Sequence, residues 1–196
     1  MKSLNNRLYT IGYSPFTDEG FIEVLRHHGI GAVCDVRSIP YSRYKPEFNK
    51  VVLEQRLARH DIRFFFLGTM LGGRAADPEL YEADRVRFEL VAQSSTFQRG
   101  LSVLRQIAHD HSAVLMCAEK DPLTCHRTIL VCRQIRHEFD IFHILEDGTL
   151  ESQQEAERRL VKLVGIPTDD LFRTEEELID DAYDLQAGKI AYVRKE

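Results

Sequence analysis

The chain has 196 residues, 43% of them hydrophobic and 29% charged, with no tryptophan and a formal net charge of −5. Such a composition is globular, supports one well-formed core, and excludes a uniformly basic nucleic-acid surface. No run approaches the ~20 apolar residues that span a bilayer. The N-terminal MKSLNNRLYTIG lacks both a long apolar stretch and a small-residue cleavage site, so the expectation is no membrane partner and an intracellular, cytoplasmic address.

Arg7 to Gly12 (RLYTIG) is a short run of β-formers stopped by glycine and predicts a strand. Thr17 is placed to cap a helix running to about His28, with Phe21, Ile22, Val24 and Leu25 on its apolar face. Gly31 to Ser38 (GAVCDVRS) predicts a second strand, a continuous apolar run suited to a parallel sheet covered on both faces. The loop IPYSRYKPEFNK follows, and Asn49 is placed to cap a helix with Leu53 and Leu57 one turn apart. IRFFFLG predicts a third strand and GTMLGGR a loop. Asp77 and Pro78 have the form of an N-cap and first turn, and Thr96 that of another cap, with Leu101, Leu104, Ile107 and Ala108 on one helical face. SAVLMCA then predicts a strand, CHRTILVCRQIRHE a helix, and FDIFHIL a strand ended by a Glu-Asp-Gly turn.

The alternation gives an α/β class: three layers, a mostly parallel sheet with helices on both faces, plus a C-terminal extension. Residues 1–150 form the domain that carries the site. Residues 151–196 break the alternation and predict an acidic helical extension packed on it. The extension comprises an amphipathic helix, a linker at Gly165 and Pro167, an acidic helix and a short final strand at Ile190 to Val193. Charge divides the same way: residues 146–196 hold fourteen acidic and seven basic side chains, residues 1–145 seventeen and nineteen. Ligands of such sheets bind beyond the carboxyl ends of the strands, where the loops after Gly12, Asp35, Leu67 and Cys117 fall.

Four cysteines in a chain of this length do not make a disulfide scaffold, and reduced thiols are expected. Cys117 lies at a strand end; Cys125, His126 and Arg127 lie at the start of the next helix, where free N–H groups favour an anion or a thiolate. Glu119 adds a carboxylate between them. Thiol, imidazole, guanidinium and carboxylate at this spacing suit nucleophilic or acid–base chemistry, with either Cys117 or Cys125 as the reactive thiol. The bland alternative is that Cys117 is core, as Cys132 is expected to be, and that Lys-Asp-Pro is a plain turn. A zinc site from Cys117, Cys125 and His126 lacks a short Cys-x2-Cys pair, and no metal is assigned.

A second group is CDVRSIPYSRYKPEFNK. Asp35 and Arg37 leave a strand end, and Ser42, Arg43, Tyr44, Phe48 and Lys50 follow in one loop. Arginine binds phosphate or carboxylate bidentately, and aromatics can stack on a base. A solvated loop with its aromatics tucked onto the core is the alternative. In a third, LGGR, Gly72 and Gly73 permit close backbone approach to a ligand beside Arg74. Arg37, Arg43, Arg74 and Arg127 at one sheet edge point to an anionic, phosphate-bearing ligand.

TIGYS, CDVRSIPYSRYKPEFNK, FLGTMLGGR and VLMCAEKDPLTCHR, in this order and spacing, resemble the family called domain of unknown function 488. The resemblance runs over roughly residues 8 to 148, and DLFRTEEELIDDAYDLQAGKIAYV resembles the tail of its longer members. It implies a fold and a site without roles: Asp35, Arg37, Ser42, Arg43, Phe48, Gly72, Gly73, Arg74, Cys117, Glu119, Cys125, His126 and Arg127. A more distant likeness is to rhodaneses and cysteine phosphatases, in which a strand-end Cys opens an anion-binding loop closed by an Arg. Here nine residues intervene between Cys117 and Arg127, a longer loop than theirs. The preferred reading is a thiol-dependent transferase or hydrolase acting on an anionic, phosphate-bearing small molecule or nucleic acid. A nucleic-acid-binding module without catalysis, rhodanese-like sulfur transfer and a metal-binding domain are the alternatives. Cofactor and oligomeric state are unknown.

Overall fold

The structure is a computed structural model that describes residues 6–167 and 173–194. The readings that fall on Met1 to Asn5 and on Asp170 to Phe172 lie outside the described residues. Strand β1 (Arg7–Gly12) leads into α1 (Asp18–His27), where Thr17 Oγ1 accepts from Gly20 N–H at 3.1 Å and caps the first turn. Next come β2 (Ala32–Asp35), α2 (Lys50–Ala58), β3 (Arg63–Phe66) and a single turn, α3 (Gly68–Leu71), within the segment expected to be loop.

The Asp77-Pro78 signal closes only one 3-10 turn, Pro78–Leu80, with Asp77 Oδ1 accepting from Glu79 N–H. The chain then extends into a small hairpin, β4 (Tyr81–Glu82) and β5 (Arg85–Val86), instead of continuing as a helix. Two helices follow, α4 (Phe88–Gln93) and α5 (Ser95–Asp110). Ser94 rather than Thr96 caps α5, because the extended backbone between the two helices falls at Ser94, whose Oγ accepts from Phe97 N–H at 3.2 Å.

After β6 (Ala113–Cys117), the expected helix begins as a π-helical stretch, Arg127–Cys132, before regular geometry in α6 (Arg133–Ile135). Strands β7 (Asp140–Ile144) and β8 (Leu150–Ser152) form an antiparallel pair, so the sheet continues past residue 150. Helices α7 (Gln153–Val164) and α8 (Glu175–Ile190) complete the chain. The segment at Ile190 to Val193 is the end of α8 followed by one isolated bridge from Val193 to Arg85.

The sheet order is β3-β2-β6-β1-β7-β8, parallel throughout except for β8. The fold is α/β with helices on both faces, as the alternation predicts. Along β6, Ala113, Leu115 and Cys117 join the core under α5, α7 and α8, whereas Val114 and Met116 join the core under α1 and α2. Period-two alternation on a strand buried on both faces thus turns Cys117 toward the side of the π-helical stretch. Among the described residues no helix is long and apolar enough to cross a membrane.

Candidate functional site

The order of the strands places β6 between β1 and β2, so Cys117 emerges where the loops after all three begin. Tyr13 N–H donates to Cys117 O and Val36 N–H to Met116 O, both at 3.0 Å, which holds the neighbouring loops against the end of β6. Beyond Cys117 the chain turns back. Asp121 Oδ1 accepts from Leu123 N–H at 2.9 Å, a 3-10 turn follows at Pro122–Thr124, and Cys125 returns beside Cys117. The Lys-Asp-Pro segment is therefore a turn that has the effect of pairing two thiols.

Glu119 Oε2 lies 3.0 Å from both Cys117 Sγ and Cys125 Sγ. His126 Nδ1 lies 3.8 Å from Cys117 Sγ and 4.0 Å from Cys125 Sγ. The other ring nitrogen, Nε2, is 2.9 Å from Val36 O. A carbonyl only accepts, so Nε2 carries the hydrogen and the Nδ1 of a neutral ring presents its lone pair to the sulfurs. The four donor atoms all lie within 4.8 Å of one another. Two sulfurs, an imidazole nitrogen and a carboxylate oxygen form a donor set able to hold a metal; the three-ligand set considered from the sequence left out Glu119.

The thiols differ in acidity. Burial opposes ionisation of Cys125, but a hydrogen bond from Cys117 and the charges of Arg127 and His126 hold it well below the ordinary thiol range. Cys117, hydrogen-bonded to Cys125 and buried, is pushed well above that range. The two thiols therefore titrate as a coupled pair, with Cys125 the more acidic. Burial and then the Cys125 charge push the Glu119 carboxyl upward. Cys34, in contrast, is raised to about 12 by burial, and Cys132 is raised for the same reason; both are core thiols.

Arg127 is fully buried. Its Nη1 donates to Glu119 O at 2.6 Å, its Nη2 to Lys120 O at 3.3 Å and its Nε to Thr10 Oγ1 at 3.4 Å. The backbone N–H of Arg127 lies 3.5 Å from Cys125 Sγ. Arg127 thus ties down the turn that carries Glu119 and places a positive charge under the thiols, rather than reaching a ligand. Thr10 continues inward to His143 Nδ1 at 2.8 Å, and neither residue carried a sequence signal beyond burial.

A cleft of 390 Å3 opens over the cluster, lined by Cys117, Glu119 and His126 on its floor and by Tyr13, Arg37 and Arg74 among its walls. Arg37, only 5% exposed, lines it while held from behind: Asp35 accepts from Nε at 2.9 Å and Nη2 at 2.7 Å, and Phe48 O from Nη2 at 2.9 Å. Arg37 Nη1 is buried without a partner. Asp35 is therefore a support for Arg37 and does not line the cleft. Arg74 stands 4.4 Å from the ring centre of Tyr192, and its N–H donates to Ser38 Oγ at 3.0 Å. Ile190 and Tyr192, from the C-terminal extension, form part of the wall.

Of the remaining sequence-derived residues, Gly73 lines this cleft and the others lie around it. Phe48 is buried and stacks on Tyr13 with ring centres 4.4 Å apart. Ser42 Oγ accepts from Lys45 N–H at 3.1 Å within its own loop. Arg43 is exposed, Tyr44 is 96% exposed, and Lys50 Nζ sits 4.9 Å over Phe66. Gly73 lines the cleft, and a Cβ there would lie 2.9 Å from His126 Cγ, so the close approach that requires glycine is to the imidazole. Gly72 packs on Gly68 O and Ser38 instead. A larger cavity of 720 Å3 beside β7 and α8 is lined by Arg136, Glu157, Arg158, Glu175 and Glu176, whose charges pair with one another.

A family model described as "Domain of unknown function DUF488" matches residues 17–133, a span that includes Asp35, Arg37, Gly73, Arg74 and the whole Cys117 to Arg127 cluster. No curated protein and no solved structure matches the chain.

Proposed function

The chain belongs to the family described as domain of unknown function DUF488, and from that premise we propose that it is an enzyme acting on an anionic, phosphate-bearing small molecule in the cleft over Cys117, Glu119 and His126. The observation that carries this reading is the juxtaposition in one cleft: Arg37 and Arg74 on the walls, and a thiol, a carboxylate and an imidazole on the floor. Guanidinium groups favour a phosphate or carboxylate by bidentate hydrogen bonding, and the floor supplies acid–base and nucleophilic groups for its reacting end. Arg37 is already oriented by Asp35 and Phe48 O, so little rotamer freedom is lost when an anion arrives.

A second reading extends the substrate to a nucleic-acid end. Tyr41 lines the cleft, and Arg43, Tyr44 and Lys50, which follow it in the chain, are exposed; exposed cations can follow a backbone and aromatics can stack on bases. One titration series tests both readings, using inorganic phosphate, nucleoside mono- and triphosphates, the unphosphorylated nucleoside and a short single-stranded oligonucleotide. Phosphate-bearing ligands should bind at least about tenfold tighter than the nucleoside, and Arg74→Ala should remove roughly that factor. Steep salt dependence confined to the oligonucleotide would favour the second reading. Equal affinity for the nucleoside and its phosphates, unchanged in Arg74→Ala, would exclude the anion subsite.

A further inference from the structure

The geometry points to a zinc-class divalent metal held by Cys117, Cys125, His126 and Glu119. A four-coordinate ion with bonds of about 2.0 to 2.3 Å sets its ligand atoms roughly 3.3 to 3.8 Å apart. Imidazole Nδ1 is already 3.8 and 4.0 Å from the two sulfurs, and Glu119 Oε2 is 3.0 Å from each. Binding therefore asks the carboxylate to draw back from the sulfurs by about half an ångström, and the donor atoms, which spread over as much as 4.8 Å, to close by about one.

The surroundings favour the same assignment. His126 Nε2 is anchored on Val36 O, which fixes the tautomer that offers Nδ1 to a metal, and the Arg127 N–H lies against Cys125 Sγ as an outer support. Two thiolates, a carboxylate and a neutral imidazole around a divalent ion leave one excess negative charge. Arg127 is fully buried, and among the described residues it forms no ion pair with a carboxylate; its guanidinium reaches only carbonyl and hydroxyl oxygens. A buried cation is costly without negative charge beside it, and the metal-loaded cluster keeps one excess negative charge next to Arg127. Two sulfurs and an imidazole select zinc or iron(II) over magnesium and calcium, which prefer oxygen ligands.

Such a metal also removes an obstacle to the proposed substrate. A phosphate approaching the Cys125 sulfur and Glu119 would be repelled, and a divalent ion offsets most of that negative charge. The metal assignment itself stands on the donor geometry and not on phosphate binding.

The test uses the full chain, stripped of metal and titrated with cobalt(II) and zinc(II). The expected result is saturation at about one equivalent, with the near-ultraviolet thiolate-to-cobalt absorption and the intense visible bands of a tetrahedral site, displaced by zinc. Cys34→Ser and Cys132→Ser should leave these signals intact. Glu119→Gln should weaken binding by at least about tenfold while keeping the thiolate absorption. Absence of thiolate-to-cobalt absorption in the folded wild-type chain would overturn the assignment, as would equal signals in a folded Cys125→Ala variant. Phosphate titrations of the metal-free and zinc-loaded chain separate the two proposals. Metal binding without phosphate binding sinks only the anion reading, and phosphate binding without metal binding sinks only this one.

Discussion

At the scale of single residues, the Glu119 turn is clamped from two sides. Arg127 Nη1 pulls on Glu119 O from one side, and Gly12 passes on the other so closely that a Cβ would sit 1.8 Å from that same oxygen. Backbone cannot yield as a flexible side chain can, so Gly12→Ala must displace either β1 or the turn that positions both thiols. We expect a loss of about 1 to 3 kcal/mol, the range for overpacking. Gly188 is the internal control: it lies within α8 and a Cβ there meets nothing within 4 Å. Gly188→Ala should be neutral or stabilise by about 0.5 to 1 kcal/mol. Urea midpoints of the two variants check this, and equal midpoints would show that the turn is not rigidly clamped.

At the scale of elements, what was legible follows from which signals are local. Strands β1, β2, β3, β6 and β7 announce themselves as short runs of β-branched, aromatic and apolar residues closed by glycine or a polar turn, and Thr17 and Asn49 mark two helix starts correctly. The β4–β5 hairpin gave no such signal. Its turn is made by Ala83 (φ 44°) and Asp84 (φ 64°), left-handed positions at which glycine or asparagine would have advertised a turn. The π-helical stretch was equally silent, since its six residues are all buried and carry no helical stripe to break. Within the site, the grouping of Cys117, Glu119, Cys125 and His126 could be read from proximity in the chain. The division of labour among the arginines could not, because it depends on β6 lying between β1 and β2, and that order is set by tertiary packing. Arg127 consequently sits beneath the thiols, whereas Arg37 lines the cleft. The hairpin also yields a prediction. Ala83→Asn with Asp84→Gly relieves two left-handed strains without touching the core and should stabilise the fold by about 1 kcal/mol. A thermal midpoint that does not rise would mean that the extended partner segment, through Val86 N–H to Tyr192 O and Arg194 N–H to Asp84 O, already fixes the turn at no cost.

At the scale of the molecule, one buried polar chain links the site to the C-terminal helices. Arg127 Nε donates to Thr10 Oγ1, whose own hydrogen goes to His143 Nδ1 at 2.8 Å; His143 Nε2 then donates to Gln153 Oε1 at 3.0 Å. The Gln153 amide nitrogen reaches Glu157 and Tyr183, so the chain ends on α7 and α8. This directionality requires a neutral His143, and burial, followed by the Arg127 charge, depresses its pKa to about 3. The unfolded chain takes up that proton near pH 6.5, so the unfolded state binds more protons below that value. His143 therefore contributes stability that is complete above pH 6.5 and is lost progressively as the pH falls toward 3. Between pH 7.5 and 5 the loss should be about 2 kcal/mol, 1.5 pH units at ~1.4 kcal/mol each. It is insensitive to the folded value as long as that stays well below 5. His126, drawn upward by Cys125 against the effect of burial, acts in the opposite sense, so the wild type alone does not isolate the effect. The difference between wild type and His143→Gln does: the variant starts less stable at pH 7.5, and the gap should narrow by about 2 kcal/mol at pH 5. A gap independent of pH would mean that His143 accepts its proton within the folded chain, and that the buried relay from the site to α7 and α8 reorganises instead of breaking.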